Sequence, residues 1–222
     1  MWKASQWREC TVDAVRARSI LQGIVAAMTQ AGRITRRRNF ALALAVLGLA
    51  WLGGWPSAGS AQDNAAARER RAKAAFIFKF AGFVEWPEPA FPQPSSAVSI
   101  AVIGDDELAA ELSSVTAGRA VEGRPLTIRK TRSLEGVADA HMVFVGRAEI
   151  ARLPQLAKLA RARPVLILTD APNALAQGSM INFMLVEQRV KFEIHLEEAE
   201  RHGLKLSSRL LAVAQSVRRG SP

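Results

Sequence analysis

Residues 98–115 read VSIAVIGDDELAAELSSV and join a short apolar run to a longer amphipathic one. Val98 to Ile103 is apolar at nearly every position, whereas Asp105 to Val115 carries apolar side chains at helical spacing. A strand that is apolar on both faces is typical of a parallel sheet covered by helices, because both faces must be buried. The segment therefore predicts one strand–helix unit of such a sheet.

The same alternation continues toward the C-terminus. Pro125 to Lys130 predicts a second strand, which alternates apolar and polar residues and so suggests an edge. His141 to Val145 predicts a buried third strand, Glu149 to Ala162 a helix, and Val165 to Leu168 a fourth strand. This rhythm indicates crossover connections between parallel strands.

The sequence changes character after residue 179. Met180 to Val186 and Arg189 to Leu196 predict two strands that are separated only by Glu187 and Gln188. Two residues are too few for a crossover helix, so these strands must form an antiparallel hairpin. The predicted fold is a three-layer α/β domain, with a mostly parallel sheet, helices on both faces and a C-terminal antiparallel hairpin. We expect Phe80, Phe144 and Phe192, on three different elements, to be buried in its core.

A helix and a proline-rich loop precede the first strand. The residues from Asp63 onward favour a helix whose stripe of Ala72, Phe76, Phe80 and Phe83 runs to the Trp86-Pro87 pair. Residues 87–97 then form the loop. Aromatic residues on a proline-stiffened loop are efficient interface anchors, because they lose little entropy on binding. We therefore select Phe83, Trp86 and Phe91 as candidate partner-binding residues; the alternative is that Trp86 closes the core beneath the loop.

The N-terminal 61 residues are typical of an export leader. A basic block at residues 36–38 precedes an apolar run from Ala41 to Trp51, and small residues at 59–61 fit cleavage before Gln62. The run is too short for a membrane anchor. We assign residues 28–61 to a signal peptide, for Sec export or, given the paired arginines, twin-arginine export. Residues 1–27 fit no signal peptide, which suggests that translation starts at Met28 or that this extension is disordered. Residues 62–222 would form the exported domain.

Charge and cysteine content exclude several classes of function. Of the 30 Lys and Arg and 20 Asp and Glu residues, eight and two lie in residues 1–61, so the remaining domain has nearly balanced charge. Interspersed charges of both signs argue against nucleic-acid binding. The only cysteine is Cys10, in the leader, which excludes disulfides, thiolate metal sites and thiol nucleophiles from the exported domain.

No catalytic or cofactor set is recognisable. Acidic residues follow the predicted strands at Asp105 and Asp170, but the third strand ends in Val145-Gly146 where a phosphoacceptor aspartate would be needed. We interpret both aspartates as turn and helix caps. Glycine-rich phosphate loops are absent, and the histidines lack metal-pair spacing (His141, His195 and His202). His141 is typical of a hydrogen-bonded structural histidine. The sequence predicts no enzyme, no cofactor and no metal site, and it favours a solvated loop over an anion site for Arg119 and Arg124.

Several segments resemble the YfiR family in their order and spacing. They lie between about Ala72 and Val217 and comprise residues 73–87, 123–124, 141–145, 168–170, 178–183, 190–194 and 204–211. The resemblance implies a periplasmic α/β protein that represses a membrane-bound diguanylate cyclase by contacting its periplasmic sensor domain. It also implies capture by a peptidoglycan-binding outer-membrane lipoprotein, and a homodimer is compatible with it. Two departures matter: family cysteines are missing, with Ala140 before the histidine, and His195 stands where the family usually has Asn.

Three functional hypotheses follow. The leading one is a periplasmic repressor in cyclic-di-GMP signalling, which would control biofilm formation. The second is a periplasmic small-molecule sensor or accessory subunit of a histidine kinase or outer-membrane transporter. An enzyme ranks last, for want of a nucleophile, metal set or phosphate loop.

Overall fold

A computed structural model describes residues 58–93, 95–137, 139–161 and 163–220, with side chains from residue 62 onward. The predictions for residues 1–27 and 28–61 lie outside this part, apart from the backbone of residues 58–61. The α-helices are α1 (Ala58–Ala81), α2 (Asp106–Thr116), α3 (Leu153–Ala160), α4 (Leu196–Arg201) and α5 (Ser208–Val213). The strands are β1 (Val84–Glu85), β2 (Val98–Ile103), β3 (Ala120–Val121), β4 (Arg124–Lys130), β5 (Met142–Val145), β6 (Leu166–Thr169), β7 (Ile181–Val186), β8 (Arg189–His195), β9 (Lys205–Leu206) and β10 (Ser216–Arg218).

The main sheet has the strand order β10-β8-β7-β6-β5-β2-β4-β3. The pairs from β4 through β2, β5 and β6 to β7 are parallel, and β7 and β8 form the predicted antiparallel hairpin. Both hairpin turn residues have positive φ, 50° for Glu187 and 59° for Gln188, as a tight two-residue hairpin turn requires. The mostly parallel α/β fold with its terminal hairpin is confirmed.

Helices cover both faces of this sheet. On one face Phe144 of β5 lies near Phe183 of β7, which stacks on Phe80 of α1 at 5.8 Å between ring centroids. On the other face Val143 of β5 lies beside Leu156 of α3. Phe80, Phe144 and Phe192 are at most 2% exposed, as expected. None of the helices in the described ranges is long and apolar enough to cross a membrane.

Two helix boundaries differ from the predictions. The stripe of α1 was expected to reach Phe83, but α1 ends at Ala81 because Val84 and Glu85 pair with β9 as a two-stranded antiparallel sheet. The helix expected from Glu149 is a 3₁₀ helix over Arg147–Arg152, and α3 starts only at Leu153. Pro154 explains the second difference, since proline is tolerated only in the first turn of an α-helix.

Candidate functional site

The proline-rich loop begins where the chain leaves α1 and is anchored by the C-terminal segment. The carbonyl oxygen of Phe83 accepts a 2.9 Å hydrogen bond from the backbone N–H of Ser207, next to the β1–β9 pair. A 3₁₀ turn over Glu88–Ala90 follows, and its last carbonyl lies against the start of β5. The loop is thus held between the end of α1 and the N-terminal ends of the central strands.

Trp86, Phe91 and His141 form one ring cluster beneath the loop, which we call the loop cluster. Phe91 stacks on the imidazole of His141 with 4.4 Å between ring centroids, and Trp86 meets both rings edge-on at 6.2 and 6.1 Å. Trp86 and Phe91 are partly buried and pack against the core. The structure therefore places two of the three candidate partner-binding residues together.

Phe83 does not belong to the loop cluster. It is partly buried against the core, and no ring contact of its side chain occurs among the described residues. The exposed surface around the cluster consists of two charged residues, Glu85 and Glu88, and two prolines, Pro89 and Pro92. Trp86 packs against the core from beneath this surface and is only partly buried, so it remains a candidate for both roles.

His141 pins the loop through both ring nitrogens. Its Nδ1 accepts a 3.1 Å hydrogen bond from the backbone N–H of Ser99, so Nε2 carries the proton and donates to the carbonyl oxygen of Ala90 at 3.0 Å. Burial lowers the pKa of His141 from its ordinary value of 6.5, and the positive charges of Arg124 and Arg129 lower it further, against the opposing effect of the Ala90 bond. The imidazole is therefore neutral, and it is the hydrogen-bonded structural histidine that the sequence predicted.

This environment predicts a pH-dependent stability. Because the folded pKa of His141 lies below the unfolded value of 6.5, the unfolded chain binds more protons over that interval. The contribution of neutral His141 to the free energy of unfolding is complete above pH 6.5 and is lost as the pH falls through the folded pKa. Chemical unfolding at a series of pH values should show the free energy of unfolding falling as the pH is lowered below 6.5. The fall should be smaller in His141→Asn; equal pH profiles would contradict this assignment.

Arg124 holds the loop from its other side. Its guanidinium lies 3.9 Å from the centroid of Phe91, and Nη1 donates to the carbonyl oxygens of Gln93 and Ser96 at 3.0 and 3.1 Å. Arg119 instead lies 5.3 Å from the centroid of Phe78 on α1. The anion site that the sequence considered for these arginines therefore has no support. Sequence reasoning missed the role of Arg124, because its contacts span about 30 residues.

A second polar centre lies at the opposite end of the sheet, beyond the carboxyl ends of β5 and β6. Lys73 of α1 is 6% exposed and donates to Asp170 Oδ2 at 2.7 Å and to Glu69 Oε1 at 2.6 Å. Arg147 donates to the backbone carbonyl of Asp170 at 2.9 Å. Burial opposes the charge on Lys73, but the hydrogen bonds that its ammonium donates to the two carboxylates outweigh this effect and raise its pKa above 10.5. Lys73 is therefore a permanent cation that fixes α1 to the sheet.

The two aspartates at this end of the sheet have different roles. Asp105 caps α2, as predicted, by accepting a 2.8 Å hydrogen bond from the N–H of Leu108. The same prediction for Asp170 was wrong, because its carboxylate pairs with Lys73 and its Oδ1 has no hydrogen-bond partner among the described residues. Lys73 precedes the apolar residues Phe76 and Ile77 by three and four positions, so it lies on the buried face of α1. A lysine at such a position was the sequence signal for this ion pair.

The neighbouring polar side chains satisfy one another. Asn182 Oδ1 accepts from the hydroxyl of Thr169 at 2.8 Å and from the N–H of Ala171 at 3.1 Å, while its amide donates to Glu193 at 3.0 Å. The hydroxyls of Thr169 and Ser179 are 2.8 Å apart. Within the described ranges, no cluster of three or more metal-ligating side chains occurs. This network links β6 to β7 and β8, and the Lys73 pair links α1 to the end of β6. Both sets of contacts have a structural role.

Comparison with known proteins finds a match to one family model and partial matches to solved structures. A family model described as YfiR/HmsC-like matches residues 70–215, more than half of the chain. No curated protein matches the chain at a significant level.

Two solved structures are similar in part. A conserved domain protein from Vibrio cholerae O1 biovar El Tor str. N16961 aligns with a TM-score of 0.49 and 11% identity, over 65% of this chain and 60% of that one. The ABC domain from Streptococcus pneumonia, solved in complex with L-Trp, aligns with a TM-score of 0.40 and 12% identity, over 54% of this chain and 55% of that one. The chain thus matches no more than 60% of either structure's length.

Proposed function

Since this chain belongs to the YfiR/HmsC-like family, we propose that it is a periplasmic regulator that represses a membrane-bound diguanylate cyclase by contacting that enzyme's periplasmic sensor domain. The family match is the observation that carries this proposal. Residues 62–222 would be the exported, regulatory domain, and its action would lower cyclic-di-GMP and biofilm formation. A peptidoglycan-binding outer-membrane lipoprotein would relieve the repression by capturing the regulator.

The proposed contact surface is the proline-rich loop with its loop cluster. Trp86 and Phe91 supply large, rigid aromatic area, and exposed Glu88, Pro89 and Pro92 surround them. The loop is fixed in advance by His141 and Arg124, so little conformational entropy would be lost when a partner binds it. The buried indole N–H of Trp86 has no hydrogen-bond partner among the described residues.

Repression requires that the regulator bind the inactive form of the cyclase more tightly than the active form, since equal affinity would shift no population. A rigid, preorganised loop suits this task, because it fits one conformation of the sensor domain and does not adapt to the other. The lipoprotein would compete by binding the same surface or by holding the regulator away from the inner membrane.

Loss of this surface should mimic loss of the gene. Deletion in the native host should raise cyclic-di-GMP and biofilm mass, and Trp86→Ala should reproduce much of that rise. Removing a central aromatic anchor commonly costs about 2 kcal/mol of binding or more, roughly a thirty-fold loss of affinity. Glu88→Lys should derepress partially without disturbing packing, because Glu88 is exposed. Cyclic-di-GMP is measured by mass spectrometry in strains with equal regulator levels.

Asp63→Lys is the matched control for the charge reversal. Asp63 is exposed on α1, roughly 27 Å along the helix from its end at Ala81. This variant should repress normally, and melting curves should verify folding of all three proteins. Unchanged cyclic-di-GMP in the deletion strain would overturn the proposed function. Normal repression by both folded Trp86→Ala and Glu88→Lys would overturn only the proposed surface.

A further inference from the structure

A groove on the α3 face of the sheet shares no lining residue with the loop cluster or with the polar centre around Lys73. It lies between α3 and the residues from Arg132 to Val137, and its volume is about 560 Å³. We call it the α3 groove. Volumes of this size are typical of sites for one small organic ligand, whereas two-chain lipids need more room.

The floor of the α3 groove is entirely aliphatic. Val137, Val143, Leu156 and Val165 line it and are at most 7% exposed, so they belong to the core that the groove reaches. Leu159 stands at its edge and is 56% exposed, so its side chain is accessible to a ligand in the groove. The floor offers no polar side chain and no aromatic ring, and it therefore suits a saturated hydrocarbon body.

The rim of the groove is polar and mainly basic. Arg152 donates to the backbone carbonyl of Arg132 and to Glu149, which ties the two walls together. The guanidinium of Arg132 itself has no hydrogen-bond or ion-pair partner in the described part of the chain, and Arg132 and Gln155 are both exposed lining residues of the groove. Glu135, also exposed, is the acidic residue of the lining. One free guanidinium beside an amide at the mouth of an aliphatic groove matches a carboxylate head group.

We propose that the α3 groove binds a medium-chain fatty carboxylate, with the hydrocarbon chain over Val143 and Leu156 and the carboxylate on Arg132. The tail buries apolar surface of the floor and of Leu159, and the charged head stays at the wet rim. Arg152 is a positioning residue, because it holds the Arg132 wall against α3. The site thus gives the protein a second input, chemically distinct from the protein contact proposed at the loop cluster.

Calorimetric titration of the purified protein with decanoate tests the site. Decanoate should bind saturably with one-to-one stoichiometry below its micelle concentration. Decanol, which lacks the charge, and decyltrimethylammonium, which reverses it, should both bind at least ten-fold more weakly, since a charge-assisted hydrogen bond accounts for about that factor. Acetate should not bind measurably, because it has no tail to bury.

Two variants and two controls locate the site. Arg132→Ala should weaken decanoate binding about ten-fold, and Leu159→Gln should weaken it several-fold, without loss of folding because both side chains are exposed. Arg209→Ala and Leu185→Gln remove an exposed arginine and an exposed leucine elsewhere and should leave binding unchanged. Absence of saturable decanoate binding, equal binding of the cationic analogue, or equal effects of site and control variants would each overturn the proposal. Because binding is measured without the cyclase, these outcomes are independent of the proposed repressor function.

Discussion

Replacing Lys73 with methionine is expected to reduce the free energy of unfolding by about 3–5 kcal/mol, the usual cost of removing one partner of a buried ion pair. Both side chains of the pair are shielded, with 7% of Lys73 and 11% of Asp170 exposed. Methionine fills the space but donates no hydrogen bond. The Asp170 carboxylate would then be a buried charge whose second oxygen already lacks a partner. For a domain with a typical stability of about 5–15 kcal/mol, this loss is large.

Urea unfolding followed by circular dichroism measures the loss. Lys79→Met is the matched control, because Lys79 lies on the same helix but is exposed, and it should change stability by about 0.5 kcal/mol at most. The double variant Lys73→Met with Asp170→Leu should be more stable than Lys73→Met alone, since it removes the unpaired charge as well. If Lys73→Met costs no more than Lys79→Met, the buried ion pair does not contribute to folding.

Phe80→Ala is expected to cost about 3–5 kcal/mol, in the range for truncating a fully buried phenylalanine. Phe80 is 1% exposed, and its ring contacts those of Phe76, Phe183 and Phe192 at 6.0, 5.8 and 4.9 Å between centroids. Truncation therefore leaves a cavity where α1 packs on the terminal hairpin. Rigid strands on one side and a helix fixed by Lys73 on the other prevent the walls from closing over it.

The same unfolding measurement checks this prediction. Leu185→Ala is the control, because Leu185 lies on the hairpin but is 53% exposed, and its truncation should cost far less. Phe144→Ala should resemble Phe80→Ala, since Phe144 is fully buried in the central strand β5. A melting temperature unchanged by Phe144→Ala would show that β5 is not central to the core. A melting temperature unchanged by Phe80→Ala would show that α1 is not packed as described.

Local pattern was sufficient for much of the architecture. The six longest strands of the main sheet lie within about one or two residues of their predicted positions. A strand buried on both faces is a continuous apolar run, and a strand buried on one face alternates apolar and polar residues, so both can be recognised from the sequence. The hairpin followed from the two-residue connection between β7 and β8, which permits no other geometry. The cap at Asp105 is also a local property, since it depends on the residue type and on its position just before α2.

Local sequence pattern identified some residues of the candidate site but not the contacts between them. The sequence selected Trp86 and Phe91 from their aromatic character and the surrounding prolines, but it could not show that both rings pack on His141, which lies about 50 residues further along the chain. Nor could it show that Phe83 stands apart, because that depends on where α1 ends.

What the tertiary structure alone decided are the pairings between residues far apart in sequence. Val84 pairs with Leu206, Lys73 with Asp170 and Phe91 with Arg124, and the first of these pairings ends α1 earlier than its own sequence predicts. Hydrophobic period determines which face of an element is buried, since that depends on neighbouring residues along the chain. It does not determine which polar groups meet once the elements have packed, because the cost of a buried, unpaired charge or backbone group acts only in the assembled fold.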